Sequence, residues 1–153
     1  MEATRQRHRL ISIVGIALIA ALMLVSTARA EAQDSVDWNA YKKQVEAGHR
    51  DTIPQNAYQG WKQFELNCAR CHGEYGVGTS FAPALIVSLK DGGTIPDQAA
   101  FITVVCQGRP DKGMPSWCQL GLEMDKIQNI YAYLKLRADG KVAAGRPAAK
   151  ADG

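Results

Sequence analysis

The feature that most constrains this chain is a short run near its middle, where residues 68–72 read Cys-Ala-Arg-Cys-His. Two cysteines separated by two residues and followed at once by a histidine are typical of c-type haem attachment. Cys68 and Cys71 lie one helical turn apart, so both thiols can add to the vinyl groups of one haem and form thioethers. His72 then presents its imidazole to the iron as the proximal ligand. The motif therefore predicts one covalently bound haem c.

Three other uses of these residues stay open on the motif alone. The four cysteines could bind zinc, although a zinc site normally has a second close pair, and Cys106 and Cys118 are twelve residues apart. A C-x-x-C pair could perform thiol redox chemistry, but that use needs a strand–helix–strand context that the sequence lacks. A plain disulfide framework would leave His72 without a role.

The first thirty residues have the pattern of a secretory signal peptide. Arginines at positions 5, 7 and 9 precede an uncharged, mostly apolar run of sixteen residues from Leu10 to Val25. Residues 28–30 read Ala-Arg-Ala, with small residues at the two positions that signal peptidase recognises. An uncleaved membrane anchor is the alternative, but sixteen residues are fewer than the roughly twenty that span a bilayer. We expect residues 1–30 to be removed and the mature protein to lie in the periplasm without a membrane span.

The apparent basicity of the chain, a net charge of +3, comes from that segment. It contains four of the 18 basic residues and one of the 15 acidic residues, so residues 31–153 carry 14 of each and have no net charge. The mature chain therefore gives no reason to expect a nucleic-acid or anionic-membrane partner. All four cysteines lie in the exported part, where disulfides can form.

Hydrophobic periodicity divides the mature chain into three parts. Residues 31–53 read as an N-terminal leader with one short helix, which carries apolar Trp38 and Tyr41 on one face. Residues 54–137 read as the domain. Residues 138–153 offer almost no apolar side chain to bury and predict a disordered tail.

Three helices are predicted in the domain. Thr52 and Gln55 have the spacing of a capping box at the start of the first, whose apolar face ends at Cys68. Residues 97–106 and 123–137 predict the other two, since apolar side chains recur at helical spacing in both. A core of this size is marginal, and a buried haem would add the missing apolar mass.

The sequence resembles the class I cytochromes c. Gly60, Phe64 and residues 68–72 match the family pattern G-x-x-x-F-x-x-x-C-x-x-C-H without a gap. The resemblance implies an all-α fold, a small cytochrome c domain whose terminal helices cross at the glycine around the haem. It also implies that Tyr133 and Leu134 pack at this crossing.

The resemblance extends to the second shell of the haem. Residues 82–85 read Ala-Pro-Ala-Leu where the family has Gly-Pro-x-Leu. In that family the proline carbonyl accepts a hydrogen bond from the proximal histidine. Pro83 is therefore implied to hold His72 in one tautomer.

Met114 is the implied sixth ligand of the iron, because it stands in the Gly-Met-Pro context in which the family carries its axial methionine. Met124 lies on the apolar face of the last helix, where a packing role is more typical. His49 lies in a polar stretch and has the pattern of a surface residue. A His72/Met114 pair gives a six-coordinate iron without an open position, which favours an electron carrier over an enzyme.

Cys106 and Cys118 bracket Met114, and a disulfide between them would close its loop; free buried thiols are the alternative. A haem flanked by this extra pair resembles the four-cysteine cytochromes associated with methanol metabolism. That resemblance implies a quinoprotein methanol or alcohol dehydrogenase as electron donor and a cytochrome or terminal oxidase as acceptor. A peroxidase-like enzyme, if Met114 does not bind, and an anchored subunit of a respiratory complex are the alternatives.

Overall fold

The computed structural model of the chain describes residues 36–48 and 50–151. The predicted signal peptide, the first residues of the leader and His49 lie outside the described residues. The elements are helices α1 (Trp38–Glu46), α2 (Gln55–Asn67), α3 (Ala69–His72), α4 (Leu85–Ser88), α5 (Gln98–Gln107) and α6 (Met124–Ala138), strands β1 (Thr52–Ile53) and β2 (Ala148–Ala149), and 3-10 turns at Glu74–Gly76 and Pro110–Lys112. The predicted all-α class is confirmed. Within the described ranges, no helix is both long enough and apolar enough to cross a bilayer.

The core forms where α2 crosses α6. A Cβ atom at Gly60 would overlap the backbone carbonyl of Asn129, so only glycine allows the two helices to approach this closely. One turn further along each helix, the rings of Phe64 and Tyr133 lie 5.9 Å apart, and both side chains are fully buried. The crossing at Gly60 is therefore present, with Asn129 opposite the glycine and Tyr133 opposite Phe64.

The start of α2 differs from the sequence-based prediction. Thr52 does not cap the helix, because its backbone pairs with Ala148 in a two-residue parallel strand pair. Pro54 occupies the cap position and supplies no side-chain hydrogen bond. The capping-box prediction is wrong because strand pairing in the folded chain competes for the same residue.

The prediction of a disordered tail is also wrong for residues 138–151. Val142 is 4% exposed and Ala144 is 1% exposed. The backbone N–H of Ala143 donates to Asp51 Oδ2 at 2.6 Å, and that of Ala144 donates to Gln44 Oε1 at 3.0 Å. Small side chains and backbone groups thus bury a segment that has few large apolar residues.

The leader and the tail bind each other as well as the domain. Ala148 N–H donates to the Asp51 carbonyl, and Lys150 N–H donates to the Ile53 carbonyl, each at 2.8 Å. We call the two segments, residues 36–48 with 50–53 and residues 139–151, the terminal clasp. It joins residues 143–150 of the tail to Gln44 and to residues 51–53 of the leader.

Candidate haem-attachment site

The C-x-x-C-H motif forms a single helical turn directly after α2. The Cys68 carbonyl accepts hydrogen bonds from the N–H groups of Cys71, at 3.1 Å, and His72, at 3.0 Å. Because these bonds fix one turn of helix, the two cysteines stand on successive levels of the same short element. Neither cysteine takes part in a disulfide, and both are partly exposed. The arrangement suits two thioether bonds to one planar group.

In the described residues the four cysteines do not form one metal-binding group, because two of them are bonded to each other. Burial, more than the neighbouring Cys71 and Glu65, raises the pKa of Cys68 to about 12. Cys106 and Cys118 are joined in a disulfide and cannot act as thiolate ligands. In the part of the chain that the structure describes, no three or more His, Cys, Asp or Glu side chains are grouped to hold a metal ion.

The His72 ring is fixed through one of its two nitrogens. Its Nδ1 lies 2.9 Å from the Pro83 carbonyl, which can only accept, so Nδ1–H is the donor. Burial lowers the pKa of His72; the hydrogen bond to Pro83 opposes this effect, and the Arg109 guanidinium adds to it. The imidazole is thus neutral, with Nε2 left as a ligand atom.

The chain from Cys68 to Pro83, which we call the haem-attachment segment, folds back on itself through close backbone contacts. The Gly78 N–H donates to the His72 carbonyl at 2.7 Å. Gly73 has a φ of +74°, and a Cβ atom there would lie 2.5 Å from the Gly78 carbonyl oxygen. Glycine is required at this turn, which brings Pro83 back to His72.

Thr79 is a residue of this segment that the sequence-based analysis missed. Its Oγ1 donates to the Cys71 carbonyl at 2.7 Å and accepts from the N–H groups of Phe81, at 3.0 Å, and Ala82, at 3.2 Å. A threonine followed by backbone donors two and three residues on is a recognisable turn pattern. The pattern predicts the local turn, but it does not reveal the distant partner, Cys71.

The loop that carries Met114 is closed at several levels. Arg109 and Met114 exchange backbone hydrogen bonds of 2.8 and 3.0 Å, and the disulfide joins Cys106 to Cys118, whose Cα atoms are 4.5 Å apart. Met114 itself is half-buried and packs against the hydrophobic core. The loop therefore has more internal hydrogen bonding than its glycines and prolines suggested.

The Met114 loop also lies against the haem-attachment segment. A Cβ atom on Gly113 would lie 3.7 Å from the Phe81 ring, and Arg109 is close enough to lower the pKa of His72. The structure thus places the Pro83 carbonyl on His72 and Gly113, next to Met114, beside the Phe81 ring. Thiols, a tethered neutral imidazole and a thioether form a donor set that fits haem c.

Met124 does not have the packing role that its position on an apolar face suggested. It is the first residue of α6 and is 45% exposed. The packing prediction is wrong because the first turn of α6 extends beyond the core, and Ile127 is the first residue of this helix that is buried.

Comparison with known proteins gives the family. The model of the family described as cytochrome c oxidase, cbb3-type, subunit III matches residues 55–134, just over half of the chain. The chain belongs to this family of c-type cytochromes. Membership implies covalently bound haem c. The terminal clasp lies outside the matched residues.

Individual relatives agree with this assignment. Cytochrome c-555 of Methylococcus capsulatus is 36% identical over 94 residues, which cover 61% of this chain and 72% of the relative. Cytochrome c-553I of Paracoccus denitrificans is 30% identical over 108 residues, which cover 62% of this chain and 43% of the relative. Cytochrome c-553I is thus matched over less than half of its length.

A solved structure shares the fold. The crystal structure of the c-type cytochrome XoxG from Methylobacterium extorquens AM1 matches 67% of this chain and 63% of its own chain, with a TM-score of 0.58 and 26% sequence identity. The match covers slightly less than two thirds of the XoxG chain. These relatives are cytochromes that carry electrons, and this cytochrome is an electron carrier rather than an enzyme.

Proposed function

We propose that this cytochrome binds one haem c through Cys68 and Cys71, with His72 and Met114 as axial ligands, and carries single electrons in the periplasm. The observation that carries the proposal is the 2.9 Å contact between His72 Nδ1 and the Pro83 carbonyl within an intact C-x-x-C-H turn. When bound, the haem supplies an iron that exchanges one electron between its ferric and ferrous states.

The protein side of the site has two tasks in this proposal. Pro83 holds the His72 ring in the tautomer that leaves Nε2 free, and the hydrogen bond makes the imidazole a more basic ligand. The disulfide and the Arg109 hydrogen bonds hold the loop that carries Met114. Thioether sulfur favours ferrous iron relative to a second imidazole, so the ligand pair sets a raised reduction potential.

The proposed donor is a quinoprotein methanol or alcohol dehydrogenase, and the proposed acceptor is another cytochrome or a terminal oxidase. Support comes from the resemblance to four-cysteine cytochromes of methanol metabolism, together with the bond between Cys106 and Cys118 around Met114. The fold shared with XoxG is consistent with this placement.

A second candidate is a fixed subunit of a respiratory oxidase, which the description of the matching family favours. Cell fractionation separates the two. The carrier is released with the soluble periplasmic fraction and is reduced by a purified quinoprotein alcohol dehydrogenase in the presence of its substrate. Recovery only with membranes, bound to oxidase subunits, would favour the second candidate.

The axial ligand is tested by comparing Met114→Ala with Met124→Ala, two equal truncations at different sites. Met114→Ala should lose the weak Fe–S(Met) charge-transfer band, bind carbon monoxide in the ferrous state and lower the reduction potential. Met124→Ala, at an exposed position, should behave like the parent. Equal behaviour of the two variants would mean that the ligand is misassigned.

A further inference from the structure

We infer that Thr79 is a positioning residue for the proximal ligand: its hydroxyl holds the backbone that presents the Pro83 carbonyl to His72. The inference rests on the proposed function, because it concerns how the proposed haem ligand is tuned. It assigns a role to a side chain that the C-x-x-C-H motif does not include.

Three hydrogen bonds converge on one oxygen atom. Thr79 Oγ1 donates to the Cys71 carbonyl at 2.7 Å and accepts from the N–H groups of Phe81 and Ala82 at 3.0 and 3.2 Å. The Thr79 N–H in turn donates to the Ala82 carbonyl at 2.9 Å. The hydroxyl therefore ties the backbone of an attachment cysteine to the residue directly before Pro83.

No helix or strand provides hydrogen bonds that could replace those of the Thr79 hydroxyl in this turn. Residues 79–83 lie outside any helix or strand, and Phe81 and Pro83 are exposed. Among the residues that the structure describes, the N–H groups of Phe81 and Ala82 donate to no backbone carbonyl. Water could satisfy each of these groups separately, but separate waters would not connect the turn to Cys71.

The position of the Pro83 carbonyl matters because it accepts the Nδ1–H of His72. That bond increases the basicity of the imidazole, and a more basic ligand stabilises ferric iron relative to ferrous iron. A looser turn would lengthen the bond and weaken this effect. Loss of the Thr79 hydroxyl should therefore raise the reduction potential without breaking the attachment of the haem, since Cys68 and Cys71 are unchanged.

The test uses the full-length haem-loaded protein and three variants. Thr79→Val removes the hydroxyl at nearly constant size, and Thr79→Ser keeps a hydroxyl. Thr103→Val is the matched control, because its Oγ1 donates to the Ala99 carbonyl at 2.9 Å within α5. Two quantities are measured in each protein: the reduction potential, and the exchange rate of the His72 Nδ1 proton in the ferrous state by NMR.

Thr79→Val should raise the potential and exchange the Nδ1 proton several-fold faster, whereas Thr79→Ser and Thr103→Val should match the parent in both. A lower melting temperature with unchanged potential and exchange would overturn the inference, since it would show a purely structural role. Equal shifts in Thr79→Ser and Thr79→Val would also overturn it, because the hydroxyl would then not be the acting group. Absence of covalent haem from the parent would instead refute the proposed function.

Discussion

The haem-attachment segment and the terminal clasp are held in place by opposite means. The segment has few fully buried side chains and is fixed by turn hydrogen bonds, such as those of Thr79 and the 2.9 Å contact from His72 to Pro83. The clasp buries small apolar side chains, with Val142 and Ala144 nearly inaccessible to solvent. The difference indicates that the clasp supplies stability, whereas the segment supplies geometry.

Arg137 joins the two regions. Its side chain is 7% exposed, its Nη1 donates to the Val142 carbonyl in the clasp, and its Nε lies 3.4 Å from the Tyr75 carbonyl in the segment. A buried guanidinium needs such partners, because an unpaired charge in the interior is strongly unfavourable. The clasp is therefore connected to the loop that follows the proximal ligand, although it lies outside the family match.

Removal of the clasp should have the largest effect on folding. Truncation after Gly140 removes buried Val142 and Ala144 and leaves the Val142 contact of Arg137 unmade. We expect the free energy of unfolding to fall by about 3 kcal/mol or more, from lost apolar burial and the lost hydrogen bond of the Arg137 guanidinium. Urea unfolding followed by circular dichroism measures it, with Lys150→Ala as a control that keeps the backbone hydrogen bonds. A truncated protein as stable as the parent would mean that the tail adds nothing.

Removal of the disulfide should have an intermediate effect on stability, and this effect should be greatest in the loop that carries Met114. In the chain-entropy model a bridge closing a loop of this size contributes about 3 kcal/mol. The Cys106→Ser/Cys118→Ser double variant should still attach haem, but lose the Fe–S(Met) band at a lower temperature than the parent, before the helices melt. Loss of band and helix together, at the parent's midpoint, would show that the bridge does not restrain Met114 in particular. Free-thiol titration of the unfolded, unreduced parent should find no reactive thiol.

The smallest effect on stability should come from replacing Glu65, which lies one helical turn before Cys68. Burial raises the pKa of Glu65, the hydrogen bond with the Tyr75 backbone lowers it, and the Glu74 carboxylate raises it. Its Oε1 is buried without a hydrogen-bond partner. The folded state thus binds this proton more tightly than the unfolded state, and the contribution of Glu65 to stability falls as pH rises above 4.5, its ordinary value.

Glu65→Gln should therefore melt at a higher temperature than the parent at pH 7, with the difference disappearing below pH 4.5. Thermal melts at a series of pH values measure this difference. The control is Glu46→Gln, which alters an exposed carboxylate in α1. A gain that persists at low pH would show that ionisation is not its cause.

The haem-attachment segment was largely predictable from sequence, because the residues that bind haem are close together in the chain and form a recognisable motif. The spacing of Cys68, Cys71 and His72 predicts one helical turn, which is present, and the resemblance placed Pro83 at the hydrogen-bond position it occupies. The close approach of α2 and α6 at Gly60 was also expected, because the resemblance to class I cytochromes c places the helix crossing at this glycine.

The terminal clasp was not predictable, because its contacts are non-local and its residues are small. Hydrophobic patterns reveal buried segments through their large apolar side chains. The tail is instead held by the small side chain of Ala144 and by backbone groups that bond to Asp51 and Gln44, about a hundred residues earlier. The same limit explains the missed capping geometry at Thr52, whose backbone pairs with the tail. Local propensity gave way to tertiary pairing at that position.

The central claim is that Cys68 and Cys71 carry haem covalently, and the mass of the exported protein after denaturation tests it most directly. The account predicts that the unfolded chain retains one haem through acid-acetone extraction, with the added mass confined to the peptide that contains residues 68–72. A Cys68→Ser/Cys71→Ser variant should lose that mass. Release of all haem from the parent by the extraction, or an unmodified peptide over residues 68–72, would contradict the account.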